Sequence, residues 1–239
     1  MRTALIIVLL VVVLVAAYLL RGTNPKEEKG QTPEVPERVV YTFDGEQDDR
    51  GVPSPWQLKV SSGKARFAVR PPSETEKDEV LWVGADKASF FLARADRTFD
   101  RAEFPQVSWS WKATLLPLGG YVLKSSLSPF AENKNDQALQ LLVTFDNDQV
   151  ISYMWDTTAR VGTEVREQNP FVSIMAVVVE SGEEHLGKWR SYRRNLADDY
   201  RRLHDGTARS VKGIAVQTNA NHTRSRSEGY FGPITFAKE

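Results

Sequence analysis

Apolar and polar residues alternate along most of this chain, and the first stretch that breaks the alternation is the most informative. From Ala4 to Leu20 no charged or strongly polar side chain interrupts the apolar run, and Arg21 closes it. As a helix that run rises ~26 Å at ~1.5 Å per residue, enough to cross most of a bilayer's hydrocarbon. Gly22 to Arg38 follows, with Pro25, Pro33 and Pro36 among charged and small residues, and carries too little apolar surface to fold. The expected organisation is a membrane anchor or signal segment over 1–21, a stiff linker over 22–38 and one domain over 39–239.

Within that domain the apolar pattern has the period of strands. Strands are expected at Val39–Phe43, Lys64–Val69 and Ser89–Ala93. Gln106–Ala113 puts Val107, Trp109, Trp111 and Ala113 on one face. Ala138–Phe145 and Val150–Trp155 flank the polar turn Asp146-Asn147-Asp148-Gln149 and read as a hairpin. Ser173–Glu180 is nearly continuous apolar sequence, as expected for a strand inside a packed sheet. Val211–Thr218 and Tyr230–Phe236 complete the set. One helix is expected, capped by Asn195, with Leu196, Tyr200 and Leu203 on one face and Gly206 at its end. Many strands and one short helix predict an all-β fold: a two-layer antiparallel β-sandwich, jelly-roll-like, behind a single N-terminal transmembrane helix.

The leader sets the expected address. A cleaved signal peptide would cut after small residues such as Val15 and Ala17, leaving an exposed Tyr-Leu-Leu at the new N-terminus, so a retained anchor is preferred. Arg21, Lys26 and Lys29 lie beyond the run against Arg2 before it, a count that does not favour export. The short N-terminal flank ahead of a long apolar run is nevertheless the form of an export signal. The expected location is the inner (plasma) membrane, single-pass, with the domain on the periplasmic side; secretion after cleavage is the alternative.

Composition removes several chemistries. The chain has no cysteine, which excludes disulfides, thiolate metal sites and a cysteine nucleophile. Its 31 basic residues balance 31 acidic ones, and without Arg2 and Arg21 the remainder holds 29 against 31. Such a balance argues against nucleic acid as a partner. His185, His204 and His222 lack the paired spacing of a zinc site, and no Gly-x-Ser-x-Gly turn occurs.

What remains is aromatic. Trp109 and Trp111 share a strand face, with Tyr153 and Trp155 on a neighbouring strand, and such rings either stack on sugars or fill a core. Val107 and Ala113 on the same face favour the core. Trp56 and Trp82 sit in polar, Pro- or Glu-flanked contexts and are the better candidates for exposed stacking. In the loop after the first strand, Asp44, Glu46 and Asp48 place carboxylates at every second position, a weak candidate for a structural calcium ion. It fails as an EF-hand, with Asp49 where glycine and Pro55 where glutamate is needed, and a solvated turn is the plainer reading. A lyase would use tyrosine, histidine and arginine, for which Tyr153, His185 and Arg193 are nominally present, but no spacing unites them.

Several phrases occur together in order: Ser108-Trp109-Ser110-Trp111-Lys112, Lys134-Asn135-Asp136-Gln137-Ala138-Leu139-Gln140, Ser152–Asp156, Arg194-Asn195 through Asp199–Leu203, Asn219–Thr223, and Tyr230-Phe231-Gly232. In combination they resemble the bacterial envelope family catalogued as domain of unknown function 3047, over roughly Phe43 to Phe236. The resemblance implies an exported β-sandwich and supplies no reaction, ligand or catalytic residue. Where the family's late loop carries aspartates, this chain has the neutral Asn219 and Asn221, which argues against a metal-binding role there. The expected function is a membrane-tethered, extracytoplasmic binding module without catalysis, for an envelope glycan or a protein partner. The alternatives are a polysaccharide lyase or glycosidase on a jelly roll, and a scaffold subunit of an envelope complex.

Overall fold

The computed structural model describes residues 37–70, 79–124, 132–167, 172–204 and 210–238. The expected membrane segment Ala4–Leu20, most of the linker and Gly206 lie outside these residues. Among the described residues no helix is long and apolar enough to cross a membrane.

Strands form where side chains alternate or run apolar. The first half of the domain gives β1 (Arg38–Tyr41), β2 (Gln57–Ser62), β3 (Arg66–Arg70), β4 (Val80–Asp86), β5 (Ser89–Arg94), β6 (Phe99–Asp100) and β7 (Gln106–Leu115). The second half gives β8 (Leu139–Phe145), β9 (Val150–Asp156), β10 (Glu164–Glu167), β11 (Ile174–Ser181), β12 (Arg190–Asn195), helix α1 (Leu196–Leu203), β13 (Ser210–Asn219) and β14 (Arg226–Ala237). A six-stranded sheet runs β12-β7-β14-β4-β3, with β1 also on β14. An eight-stranded sheet runs β10-β11-β9-β8-β13-β5-β2, with β6 also on β13. The pairing of β11 with β9 is parallel, and the others are antiparallel.

The two sheets pack face to face. Trp109 and Trp111 from β7, Leu81 and Val83 from β4 and Phe231 from β14 meet Leu141, Tyr153, Trp155, Phe90 and Val216 of the other sheet in one core. Each large apolar side chain buried this way stabilises the fold by about 1.5–3 kcal/mol. The expected helix is present: the Asn195 side chain accepts from the Asp198 amide at 3.0 Å, and Leu196, Tyr200 and Leu203 are buried.

The outer faces of the sheets differ, and this positions the candidate site. On the eight-stranded sheet the outward residues Phe91, Leu142, Val150, Ile174 and Ala215 are also buried. So are Met154, Ala176 and Val178, packed with Val122 and Ala159 from connecting loops. Burial on both faces explains why β11 reads as continuous apolar sequence. The six-stranded sheet leaves a series of outward side chains part-exposed.

Candidate functional site

Alternation along three neighbouring strands of the six-stranded sheet brings Trp82, Tyr230 and Lys112 to its outer face. Trp82 on β4 is the register partner of Tyr230 on β14, and Tyr230 is the partner of Lys112 on β7. They form one row across the strands, each partly exposed. Trp189, at the end of the β11–β12 connection, brings its ring centroid to 6.2 Å from that of Tyr230. The Lys112 ammonium lies 4.6 Å from the Tyr230 ring centroid and 5.3 Å from that of Trp189. At the other end of the row, the Arg66 guanidinium sits 5.4 Å from the Trp82 centroid and 3.8 Å from the Glu228 carboxylate. Gly84 makes room for the indole, since a Cβ there would come within 3.0 Å of the Trp82 ring. Part-exposed rings bordered by cationic donors and a carboxylate can stack on the apolar face of a sugar and hydrogen-bond its hydroxyls.

Most of the aromatic residues singled out from sequence lie elsewhere. Trp56 is a correction to the expected exposed stacking: it is 3% exposed, donates from Nε1 to the Thr42 carbonyl at 2.7 Å and stacks on Phe43 at 4.9 Å. Trp109 is buried between Tyr153 at 5.0 Å and Tyr192 at 5.3 Å. Trp111 contacts Trp155, whose Nε1 donates to the Gly182 carbonyl at 3.1 Å. Trp109, Trp111, Tyr153 and Trp155 are therefore core side chains with no face to offer a ligand. Trp82 alone of the set reaches the open face. Alternation along β7 already sets Lys112 opposite Trp109 and Trp111, whereas Tyr230 and Trp189 are not singled out by pattern, although Trp189 lies between the charged Lys188 and Arg190.

The acidic loop is a hydrogen-bonded turn. The Asp48 carboxylate accepts from the Val52 and Arg50 amides and from the Arg50 side chain, which hold it below the usual carboxylate range. Asp44 accepts from Thr42 Oγ1 at 2.5 Å, and Glu46 is exposed. Among the described residues no three acidic or histidine side chains are grouped to hold a metal ion.

The lyase set is not assembled. Arg190, Tyr192 and Arg194 point inward from edge strand β12 and meet two buried carboxylates. Glu180 accepts from Arg190 Nε at 3.0 Å and Tyr192 Oη at 2.6 Å, and lies 3.3 Å from His185 Nδ1. Burial works against the Glu180 charge, but Tyr192, the Ser181 amide, His185 and Arg190 outweigh it and lower its pKa. Asp199 accepts from Tyr153 Oη at 2.8 Å, from Arg194 at 2.9 and 2.6 Å and from Arg202 at 2.7 Å. Burial, then the Asp199 charge, push the Tyr153 phenol well above its ordinary range, the reverse of what a tyrosinate base needs. Tyr153 and His185 thus serve different carboxylates, while Arg193 projects from the opposite face of β12. These contacts fasten one sheet to the other.

Two of the sequence phrases converge in a second polar network. The Asn219 side chain accepts from the Gln137 amide at 2.5 Å and donates to the Asn135 carbonyl at 3.1 Å. The Asp136 carboxylate accepts from the His222 and Thr223 amides at 3.2 and 2.6 Å. Gln140 donates to Gln137, Gln137 to Asn135 and Asn135 to Glu167, whose carboxyl is pushed up by burial. The Lys134–Gln140 segment and the Asn219–Thr223 loop are therefore tied together by neutral amides and one carboxylate.

Three solved structures illustrate the similarities of the fold. Cellulose induced protein Cip1 is 8% identical at a TM-score of 0.45, covering 84% of this chain and 97% of its own. The family 11 carbohydrate-binding module from Clostridium thermocellum, in complex with a mixed-linked tetrasaccharide, is 11% identical at 0.39, covering 84% and 95%. The glycoside hydrolase domain of Endo-D from Streptococcus pneumoniae R6 is 8% identical at 0.40; the match covers 77% of this chain but 22% of that one. Likeness at this level carries no conclusion about function. No curated protein matches the chain significantly. The family described as "Protein of unknown function (DUF3047)" matches residues 54–235, a span that takes in every strand from β2 to β13 and most of β14. The chain belongs to that family.

Proposed function

We propose that this protein is a non-catalytic binding module, tethered to the membrane through Ala4–Leu20 on the extracytoplasmic side, that holds an envelope glycan against the outer face of its six-stranded sheet. The observation that carries the reading is the row of part-exposed Trp82 and Tyr230, extended by Trp189, on the outer face of the six-stranded sheet. On a jelly-roll-like sandwich, an uncovered sheet face is a long platform that matches an extended polymer better than a small molecule. The carboxylates Glu180 and Asp199 support a binding role over a hydrolytic one, because each is buried and neutralised by arginine. A glycosidase needs two such groups facing a sugar.

The test is retention of the full-length protein on insoluble envelope polysaccharide, with Trp82→Ala and Tyr230→Ala as comparisons. Losing one stacking ring should weaken binding by about 1–2 kcal/mol, or roughly 5- to 30-fold. Retention of both variants at wild-type strength, or no retention of the wild type, would rule the reading out.

A further inference from the structure

The cations of this protein are distributed unevenly. Over the whole chain, acidic and basic residues cancel. Among the described residues of the outer face of the six-stranded sheet they do not. Among the described residues, alternation and register place Arg38, Arg66, Lys112, Arg193 and Arg226 on that face, against Asp86 and Glu228. Arg66 shares Glu228 through a long 3.8 Å contact. Lys112 and Arg193 have no carboxylate partner among the described residues. Lys112 lies over the two rings at one end of the row, and Arg193 stands exposed two residues along the edge strand from Ser191, the register partner of Ser110.

From this we infer that the ligand of the aromatic row is an acidic glycan, a polymer whose sugars carry carboxylate or phosphate groups. The inference rests on the glycan-binding reading above and narrows its ligand. Stacking alone does not select charge, because neutral and acidic sugars offer similar apolar faces. A cation with no carboxylate partner, held over the stacking rings, does select it: an anionic substituent gains a charge-assisted hydrogen bond there, and a hydroxyl gains a weaker one. The spread of cations along the face fits a polymer with repeated charges better than a single anion. A membrane surface has the same sign, but a face that enters lipid needs protruding apolar side chains. Among the exposed large apolar residues that are described, only Leu115, at the end of β7, borders this face; Val60 lies on β2, Leu123 in a short 3-10 helix, and Leu118 and Val161 in loops.

The test compares binding of the full-length protein to polygalacturonate and to the same polymer after reduction of its carboxylates to alcohols. Polygalacturonate should bind at least about tenfold more tightly, and its advantage should shrink with added salt as the charges are screened. Lys112→Gln and Arg193→Gln, both surface changes, should each remove about three- to tenfold of affinity for the acidic polymer and cost the reduced polymer, which offers only hydroxyls, clearly less. Equal binding of the two polymers would overturn the acidic inference while leaving the glycan reading intact. Binding of neither would overturn both. Acrylamide quenching separates the membrane: Trp82 and Trp189 are the accessible indoles among the described residues, so protection by phosphatidylglycerol nanodiscs and not by polygalacturonate would assign the face to lipid and overturn the proposal.

Discussion

A single extra residue decides what Glu180 does. Between Val178 and Glu180 the register of β11 against β9 shifts, and the bulge at Val179 turns Glu180 toward the six-stranded sheet. There it gathers Arg190, Tyr192 and His185. Glu180→Gln removes the charge that these donors surround and should destabilise the fold by about 1–3 kcal/mol, at the low end of buried-pair losses because Arg190 can still reach water. The pH dependence follows from the sign of the shift. The folded Glu180 pKa lies below its ordinary 4.5, so the stabilisation is complete above pH 4.5 and is lost as pH falls through the lower folded value. Urea unfolding from pH 7 to pH 3 should therefore show a flatter acid limb for Glu180→Gln than for the wild type; parallel limbs would contradict the assignment. Asp156 acts in the opposite sense. Burial outweighs its bonds from the Ala159, Thr158 and Val122 amides and raises its pKa, so its cost is present at neutral pH and is relieved on acidification.

At the scale of elements, strand β7 explains both what the sequence revealed and what it concealed. Its alternation exposed the inward Val107, Trp109, Trp111 and Ala113, and the structure buries all four. Trp109 packs against one tyrosine from each sheet, so Trp109→Leu should cost about 2–4 kcal/mol through lost packing and a residual cavity, measured as a shift in the unfolding midpoint at constant slope. Strand β12 was concealed because its inward positions are Arg190, Tyr192 and Arg194, which carry no apolar period. Only the buried carboxylates across the gap make those residues suitable for an interior. Strand β4 was missed for a different reason: Gly84 looks like a strand breaker, yet it is what lets the Trp82 indole lie over the sheet. The same limit applied to the site. Which rings share a row depends on register between β4, β14 and β7, which are far apart in sequence, so Trp82 could be named as exposed and Lys112 set opposite Trp109 and Trp111, while the row they form with Tyr230 could not be read.

For the whole molecule, the decisive asymmetry is between the two sheets. Among the described residues, the outward side chains of one sheet are buried, and those of the other include part-exposed aromatic rings and more cations than carboxylates. Neither property appears in the overall composition, which averages a basic face into a neutral chain. The N-terminal apolar run gives this face its proposed address: the full-length protein should remain in the membrane fraction after alkaline carbonate extraction, and removal of residues 1–21 should release the domain. Release of the intact chain by carbonate would count against the tether. The central claim, that the six-stranded sheet is the glycan-binding face, is tested most directly by hydroxyl-radical footprinting of the full-length protein with and without bound envelope polysaccharide. The account predicts protection of Trp82, Trp189 and Tyr230 with unchanged labelling around Asn135 and His222 beside the eight-stranded sheet. Protection confined to Asn135 and His222, with those three rings labelled as before, would contradict it.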